Sequence, residues 1–135
     1  AYDRYTAMDG WDRADTATFH VPSATVDATY AIELGLRANS NYPYTAISVI
    51  VDRSTIPTNP RHANAGTVRS DTLHLQLTDA KGELCGNGLA NHQYTLHLPQ
   101  THVKQGDSLV ITVRHRMKRE ILPGIENVGI RIKRL

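Results

Sequence analysis

The amino-acid sequence predicts an all-β protein: a single antiparallel two-sheet β-sandwich with Ig-like or jelly-roll wiring. Three observations predict it. Apolar and polar residues alternate in several short runs, turns rich in proline, glycine and asparagine separate those runs, and no stretch of about ten residues carries the apolar period of a helix. The 135 residues fit one domain. We expect an N-terminal arm over residues 1–15, which shows no sustained period, and the sandwich over residues 16–135.

The first half of the sandwich contains three alternating runs. Residues 16–21 predict a short strand, which Pro22 ends. Residues 28–37 predict a long strand with its largest apolar side chains on one face, and residues 47–52 predict a third strand. The prolines, asparagines and glycine of residues 53–66 predict a loop longer than the usual connection between strands.

The second half continues the same pattern. Residues 73–78 alternate and predict a strand, and residues 79–82 then favour a hairpin turn that leads to a short return strand at 83–85. Residues 92–98 alternate again until Pro99. The whole chain therefore predicts roughly seven or eight short strands.

The closing segment, residues 108–132, carries the clearest strand signal. From Leu109 to Met117 one face is largely apolar, and the other is largely cationic. Pro123 and Gly124 favour a turn, and a second alternating run follows, which predicts a β-hairpin or a β-arch.

The cationic face forms a basic row made of Arg114, Arg116, Lys118 and Arg119. Such a row can meet phosphate, acidic glycan or an acidic protein patch. The alternative is a solvated face, partly paired with acidic residues on the next strand. The row is a candidate interaction surface.

Three aromatic residues form a second candidate site: Trp11 in the arm, and Tyr42 and Tyr44 around Pro43. Exposed rings stack on glycans and also serve as hot spots in protein interfaces. For Trp11 the alternative is that it staples the arm to the core, because so large a ring usually buries most of its surface.

Other classes of function find little support in the sequence. A formal charge of +2 does not imply nucleic acid, and no run reaches the roughly 18 apolar residues of a membrane span. His92, His97 and His102 cannot converge on one strand face, so we expect no metal. No nucleophile turn or facing carboxylate pair is recognisable, so we expect no enzyme activity and no cofactor.

A set of short motifs, taken in order, resembles one known family. These motifs are Tyr42-Pro43-Tyr44, Asp71-Thr72-Leu73, Leu77-Thr78-Asp79, the glycines at 82, 86 and 88, and, in the closing segment, Gly106, His115, Met117, Ile121-Leu122-Pro123-Gly124-Ile125 and Val128-Gly129-Ile130. Their order and spacing resemble the gliding-motility lipoprotein H family (GldH) of Bacteroidetes, most specifically in the closing segment.

The resemblance implies an exported lipoprotein of the cell envelope that faces the periplasm. Its lipidated cysteine would lie upstream of Ala1, and buried acyl chains would hold it to the membrane. It also implies partners among envelope or motility-machinery proteins, in gliding motility or the linked secretion machinery, and no catalytic residues. The alternative function is a carbohydrate-binding β-sandwich module that takes a glycan.

Overall fold

The alternating runs form strands that pair into antiparallel sheets, and the predicted all-β sandwich is confirmed. The computed structural model describes residues 2–8, 10–57, 68–78 and 92–135. These residues contain no helix. Their strands, in chain order, are β1 (Tyr2–Ala7), β2 (Trp11–Asp12), β3 (Ala17–Val21), β4 (Ala28–Ala38), β5 (Ala46–Ile56), β6 (Val68–Gln76), β7 (His92–His97), β8 (Thr101–Val103), β9 (Ser108–His115), β10 (Ile121–Leu122) and β11 (Ile125–Arg134).

Two sheets make up the sandwich. Sheet I has the order β1-β11-β4-β7, and β8 pairs with the first residues of β4. Sheet II has the order β3-β9-β5-β6, and β2 and β10 form a separate two-stranded ribbon. Because β5 runs the full length of sheet II, we name the two ends of the sandwich after its termini, the Ala46 end and the Ile56 end.

The core lies between the inner faces of the two sheets. In β4, Ile32, Leu34 and Leu36 are buried at alternate positions, and Leu109 and Ile111 do the same in β9. Each such side chain contributes about 1.5–3 kcal/mol when it is fully removed from water. The period-2 pattern therefore selects which face of each strand turns inward.

The structure corrects the first part of the loop predicted at residues 53–66, and residues 58–66 lie outside the described residues. Strand β5 continues through Ile56, because β9 pairs with it on one side and β6 pairs with it on the other. Arg53 lies on the inner face of this extension and is buried. Ladder pairing on both sides and polar partners for Arg53 outweigh the polar composition that suggested a loop.

The closing segment is an arch and not a hairpin. Strand β9 belongs to sheet II and β11 belongs to sheet I, so the chain crosses between the sheets through β10 and the turn at Gly124. Gly124 has a φ of 85°, and a Cβ there would collide with the backbone of Tyr42. Glycine avoids both the strain and the collision.

Two further regions bear on the sequence predictions. Within the predicted arm, β1 is an edge strand on β11, and β2 pairs with β10. The predicted turn at residues 79–82 and return strand at 83–85 lie outside the described residues.

Candidate functional site

The basic row lies at the Ala46 end, and the structure corrects its placement on a single strand. Strand β9 ends at His115, so Arg114 alone belongs to it, while the other three basic residues lie in the connection to β10. Beyond His115 side chains replace the ladder, since Met117 N–H donates to His115 Nδ1 and Ser48 N–H donates to the Met117 sulfur. We call residues 114–119 the basic segment.

His115 anchors the basic segment to the core. Its Nε2 lies 3.0 Å from the Trp11 carbonyl oxygen, and its Nδ1 lies 3.2 Å from the Met117 backbone nitrogen. Because Met117 N–H donates to Nδ1, the ring carries its proton on Nε2 and donates to Trp11. Both nitrogens are thus satisfied in one neutral tautomer. Burial lowers the pKa of His115, against the opposing effect of the hydrogen bonds to the Trp11 and Glu120 backbone.

Trp11 packs against this histidine. The two rings meet edge to face with centroids 5.2 Å apart, and the indole Nε1 donates to the Asp15 carbonyl oxygen at 3.0 Å. Only 1% of Trp11 is exposed, so the ring fixes the arm to the core and offers no face to a ligand.

The start of β5 holds the basic segment from the other side. Arg116 N–H donates to the Ser48 carbonyl oxygen at 2.7 Å, and Ser48 N–H donates to the Met117 sulfur at 3.4 Å. Arg119 Nε donates to the Ile121 carbonyl oxygen at 3.0 Å. The segment is therefore tied at its backbone, and its cationic side chains face solvent.

The four cations of the basic row are exposed, and none takes part in an ion pair with another described residue. On the neighbouring strand β5, Ile50 lies directly opposite Arg114, and Thr72 of β6 lies opposite Ile50. The adjacent strand thus offers no carboxylate directly opposite. The row is thus a solvated face, as the alternative has it, while the suggested pairing of Arg114 with an acidic residue directly opposite on the next strand is absent among the described residues.

One more cation joins this surface, and sequence reasoning missed it. Arg13 N–H donates to the Glu120 carbonyl oxygen at 2.7 Å, beside the pairing of β2 with β10. Arg13 is exposed. Acidic groups are present as well, since Asp12 and Glu120 lie in the same segments, but Asp12 Oδ1 accepts a hydrogen bond from Ala14 N–H. Strand pairing over more than 100 residues of sequence brings Arg13 here, so no local pattern could have indicated it.

The three residues of the candidate aromatic site do not form one exposed surface. Tyr42 is buried, and its hydroxyl donates to the Ala46 carbonyl oxygen at 2.6 Å. Burial, with a smaller effect of Tyr44, raises the pKa of Tyr42. Tyr44 packs edge to face on Tyr42 and is 38% exposed. Tyr44 alone among the three therefore presents a ring to solvent.

A different aromatic residue lies flat on the outer face of sheet I. The Tyr5 ring covers Gly129 and Gly35, where an added Cβ would collide with it. Its hydroxyl accepts a hydrogen bond from Gln93 Nε2 at 3.0 Å, and the Arg37 guanidinium lies 5.9 Å from the ring centroid. The paired glycines, opposite each other on β11 and β4, are the signal that could have indicated this platform.

The described residues bring no three His, Cys, Asp or Glu side chains into a metal-binding group. Among the described residues there is also no helix long and apolar enough to cross a membrane.

Comparison with known proteins identifies the family. The model of the GldH lipoprotein family matches residues 1–132. The chain belongs to the GldH lipoprotein family. The resemblance seen in the closing segment is thereby confirmed, and membership in a lipoprotein family supports a location in the cell envelope.

Two GldH relatives match almost the whole chain. The gliding motility lipoprotein GldH of Flavobacterium johnsoniae is 26% identical over 140 residues, which cover 98% of this chain and 83% of the relative. The gliding motility lipoprotein GldH homolog of Christiangramia forsetii is 24% identical over 142 residues, with the same coverage. Both relatives are thus named for gliding motility.

Solved structures resemble the chain more distantly. An α-amino acid ester hydrolase (12% identity, TM-score 0.47) aligns with 93% of this chain, and a CocE/NonD family hydrolase from Staphylococcus aureus (10% identity, TM-score 0.47) aligns with all of it. The chain spans only 25% and 33% of those two hydrolases. The Eiger TNF of S. frugiperda aligns with 95% of this chain and 83% of its own length, at 12% identity and a TM-score of 0.36. At these TM-scores the likenesses carry no functional argument for this GldH chain.

Proposed function

We propose that this GldH-family lipoprotein is a non-enzymatic component of gliding motility or the linked secretion machinery and acts through protein contacts. In this proposal a lipid anchor holds it at an envelope membrane, facing the periplasm, and the basic segment with Arg13 binds an acidic surface on an envelope or motility-machinery protein. The proposal assigns no catalytic residue and no cofactor.

The observation that carries the proposal is a positively charged surface held in one conformation. Exposed cations on mobile side chains contribute little binding energy on their own. Here the backbone beneath them is tied to Trp11 through His115 and to Ser48 through Arg116 and Met117. A preordered backbone lowers the entropy cost of binding, and an excess of cations over carboxylates raises the association rate with an acidic partner.

The test is a charge reversal with a matched control. Arg116→Glu with Lys118→Glu should abolish co-purification of the partner from detergent extracts of the envelope and leave the unfolding midpoint in urea unchanged. Arg131→Glu with Lys133→Glu has the same spacing and also changes two exposed cations, on β11, so it should leave co-purification intact. Equal recovery of the partner by both double variants would contradict the surface assignment.

The orientation has a separate test. A protease added outside intact cells should spare a lipoprotein that faces the periplasm, and it should cleave the same protein once the outer membrane is permeabilised. Cleavage in intact cells would place the domain on the cell surface and overturn the periplasmic part of the proposal.

The Tyr5 platform favours a second candidate function, glycan binding. The ring is 43% exposed above two glycines. It borders a cleft of about 540 Å³ whose lining includes the polar side chains of Glu33, Arg37 and Gln93. Sugars stack on such rings and hydrogen-bond to neighbouring polar groups. A glycan array should yield a ligand that Tyr5→Ala loses and Tyr44→Ala retains. An array without any ligand would remove this candidate.

A further inference from the structure

A second cationic site lies at the Ile56 end, away from the basic segment. It is a cavity of about 360 Å³ between the end of β5, the start of β6 and the region around β8. Ligand pockets in proteins typically have volumes of about 300–1,000 Å³. The cavity is lined by Arg53, Thr55, Arg69, Gln100, Thr101, His102, Lys104 and Asp107.

The base of this cavity is a buried arginine. Arg53 is only 4% exposed. Its Nη1 donates to the Pro99 carbonyl oxygen and to Thr101 Oγ1 at 2.9 and 2.7 Å, and its Nη2 pairs with Asp71 Oδ2 at 2.9 Å. Its buried Nε has no hydrogen-bond partner among the described residues. Buried donors are nearly always paired, so the guanidinium is short of one acceptor at Nε while its other two nitrogens are held in place.

The surrounding charges make the cavity positive. Arg69 lies directly opposite Arg53 in the β5–β6 register, and like charges at such positions destabilise a sheet. Lys104 and Arg69 have no ion-pair partner in the described part of the chain, whereas Asp71 is already engaged by Arg53. A bound anion would supply the missing counter-charge to Arg69 and Lys104.

We infer that this cavity binds a phosphate group. Asp71 balances the charge of Arg53, which leaves Arg69 and Lys104 against one carboxylate of the lining, Asp107. The hydroxyl groups of Thr55 and Thr101 and the amide of Gln100 add neutral donors to the same lining. A phosphate presents several acceptor oxygens in different directions, which suits a group of donors that come from three strands and two connecting segments.

The phosphate can come from a phospholipid headgroup or from a soluble phosphate ester. The Ile56 end also carries exposed apolar side chains, namely Val26, Ile56, Val68 and Leu135. Exposed apolar groups beside cations are typical of protein surfaces that touch an anionic membrane. Both sources would present the same phosphate chemistry to the cavity, and an experiment can distinguish them.

The experiment follows backbone amide resonances of the folded protein in two titrations. One uses glycerol 3-phosphate with glycerol as its uncharged control, and the other uses vesicles of phosphatidylglycerol diluted into phosphatidylcholine. Binding in the cavity should shift or broaden the amides of Thr101–Val103 and Arg69. Arg69→Gln with Lys104→Gln should weaken binding at least about tenfold, because each cation near a phosphate surface contributes about 1 kcal/mol. Arg131→Gln with Lys133→Gln removes two exposed cations on β11, outside the lining of the cavity, and should leave binding unchanged.

Each outcome bears on the inference. Cavity shifts with glycerol 3-phosphate support a soluble phosphate ester, and cavity shifts with vesicles alone support a headgroup. The inference is overturned if neither titration moves these amides, or if the two double variants weaken binding equally, because binding would then follow net charge. Both variants change exposed side chains, and their unfolding midpoints verify that the fold is intact.

Discussion

Replacement of His115 tests the anchor beneath the basic segment. His115→Leu keeps a similar apolar volume but leaves the Trp11 carbonyl and the Met117 N–H without their partner. An unpaired buried polar group costs about 1–3 kcal/mol, so the loss of two partners should lower the free energy of unfolding by about 2–5 kcal/mol. That is a large fraction of the roughly 5–15 kcal/mol that stabilises a typical domain.

Two further variants divide this cost between the bonds. His115→Gln places an amide N–H near the position of Nε2 and should recover the bond to Trp11, and His115→Asn places a carbonyl near the position of Nδ1 and should recover the bond to Met117. Each should therefore lose about half as much stability as His115→Leu, as measured by urea unfolding with an unchanged denaturant slope. Equal losses in all three variants, or a loss no larger than that of the exposed control His20→Leu, would refute the anchor.

Three other outcomes are expected. Burial lowers the pKa of His115 in the folded protein. The contribution of His115 to the free energy of unfolding should therefore be complete above about pH 6.5, and it should fall as the pH drops towards the lowered pKa. Urea titrations at several pH values should show this loss of stability, and His115→Gln should reduce the loss. Gly129→Ala should destabilise the protein by about 1 kcal/mol with Tyr5 present, because the added Cβ collides with the Tyr5 ring, and it should be neutral or stabilising in a Tyr5→Ala background. Equal effects of Gly129→Ala in both backgrounds would contradict the packing of Tyr5 on Gly129. Arg53→Met should lower the free energy of unfolding by about 2–3 kcal/mol. This is less than the roughly 3–5 kcal/mol lost when a fully buried ion pair is broken, because the Asp71 side chain is a third exposed. Adding Asp71→Leu should restore part of the lost stability.

The alternation of apolar side chains predicted the strand faces well, because side-chain direction in a strand is a local property. The buried face of β4 is the predicted apolar one with Ile32, Leu34 and Leu36, and that of β9 is the predicted one with Leu109 and Ile111, although Tyr30 on the first face is only half-buried. Strand order was out of reach, since β1 pairs with β11 across more than 120 residues of sequence. Non-local pairing of this kind leaves no period in the sequence.

The errors at the sites have specific physical causes. Arg53 continues the inward alternation of Val49 and Val51, but a charged residue is rarely buried, so composition favoured a loop. The basic row seemed to continue as a strand because its alternation persists beyond His115, where tertiary hydrogen bonds end the ladder. Tyr5 was overlooked because its platform depends on two glycines from distant strands.

In the proposed function, the basic segment contacts an acidic protein in the envelope. Photo-crosslinking in cells tests it directly, with the reactive residue at Ile121 beside the segment or at Val26 at the opposite end, two apolar positions that are 52% and 47% exposed. We expect a discrete protein adduct from position 121 that disappears with Arg116→Glu and Lys118→Glu, and no such adduct from position 26. An adduct from position 26 alone, or one from position 121 that survives the charge reversal, would contradict it.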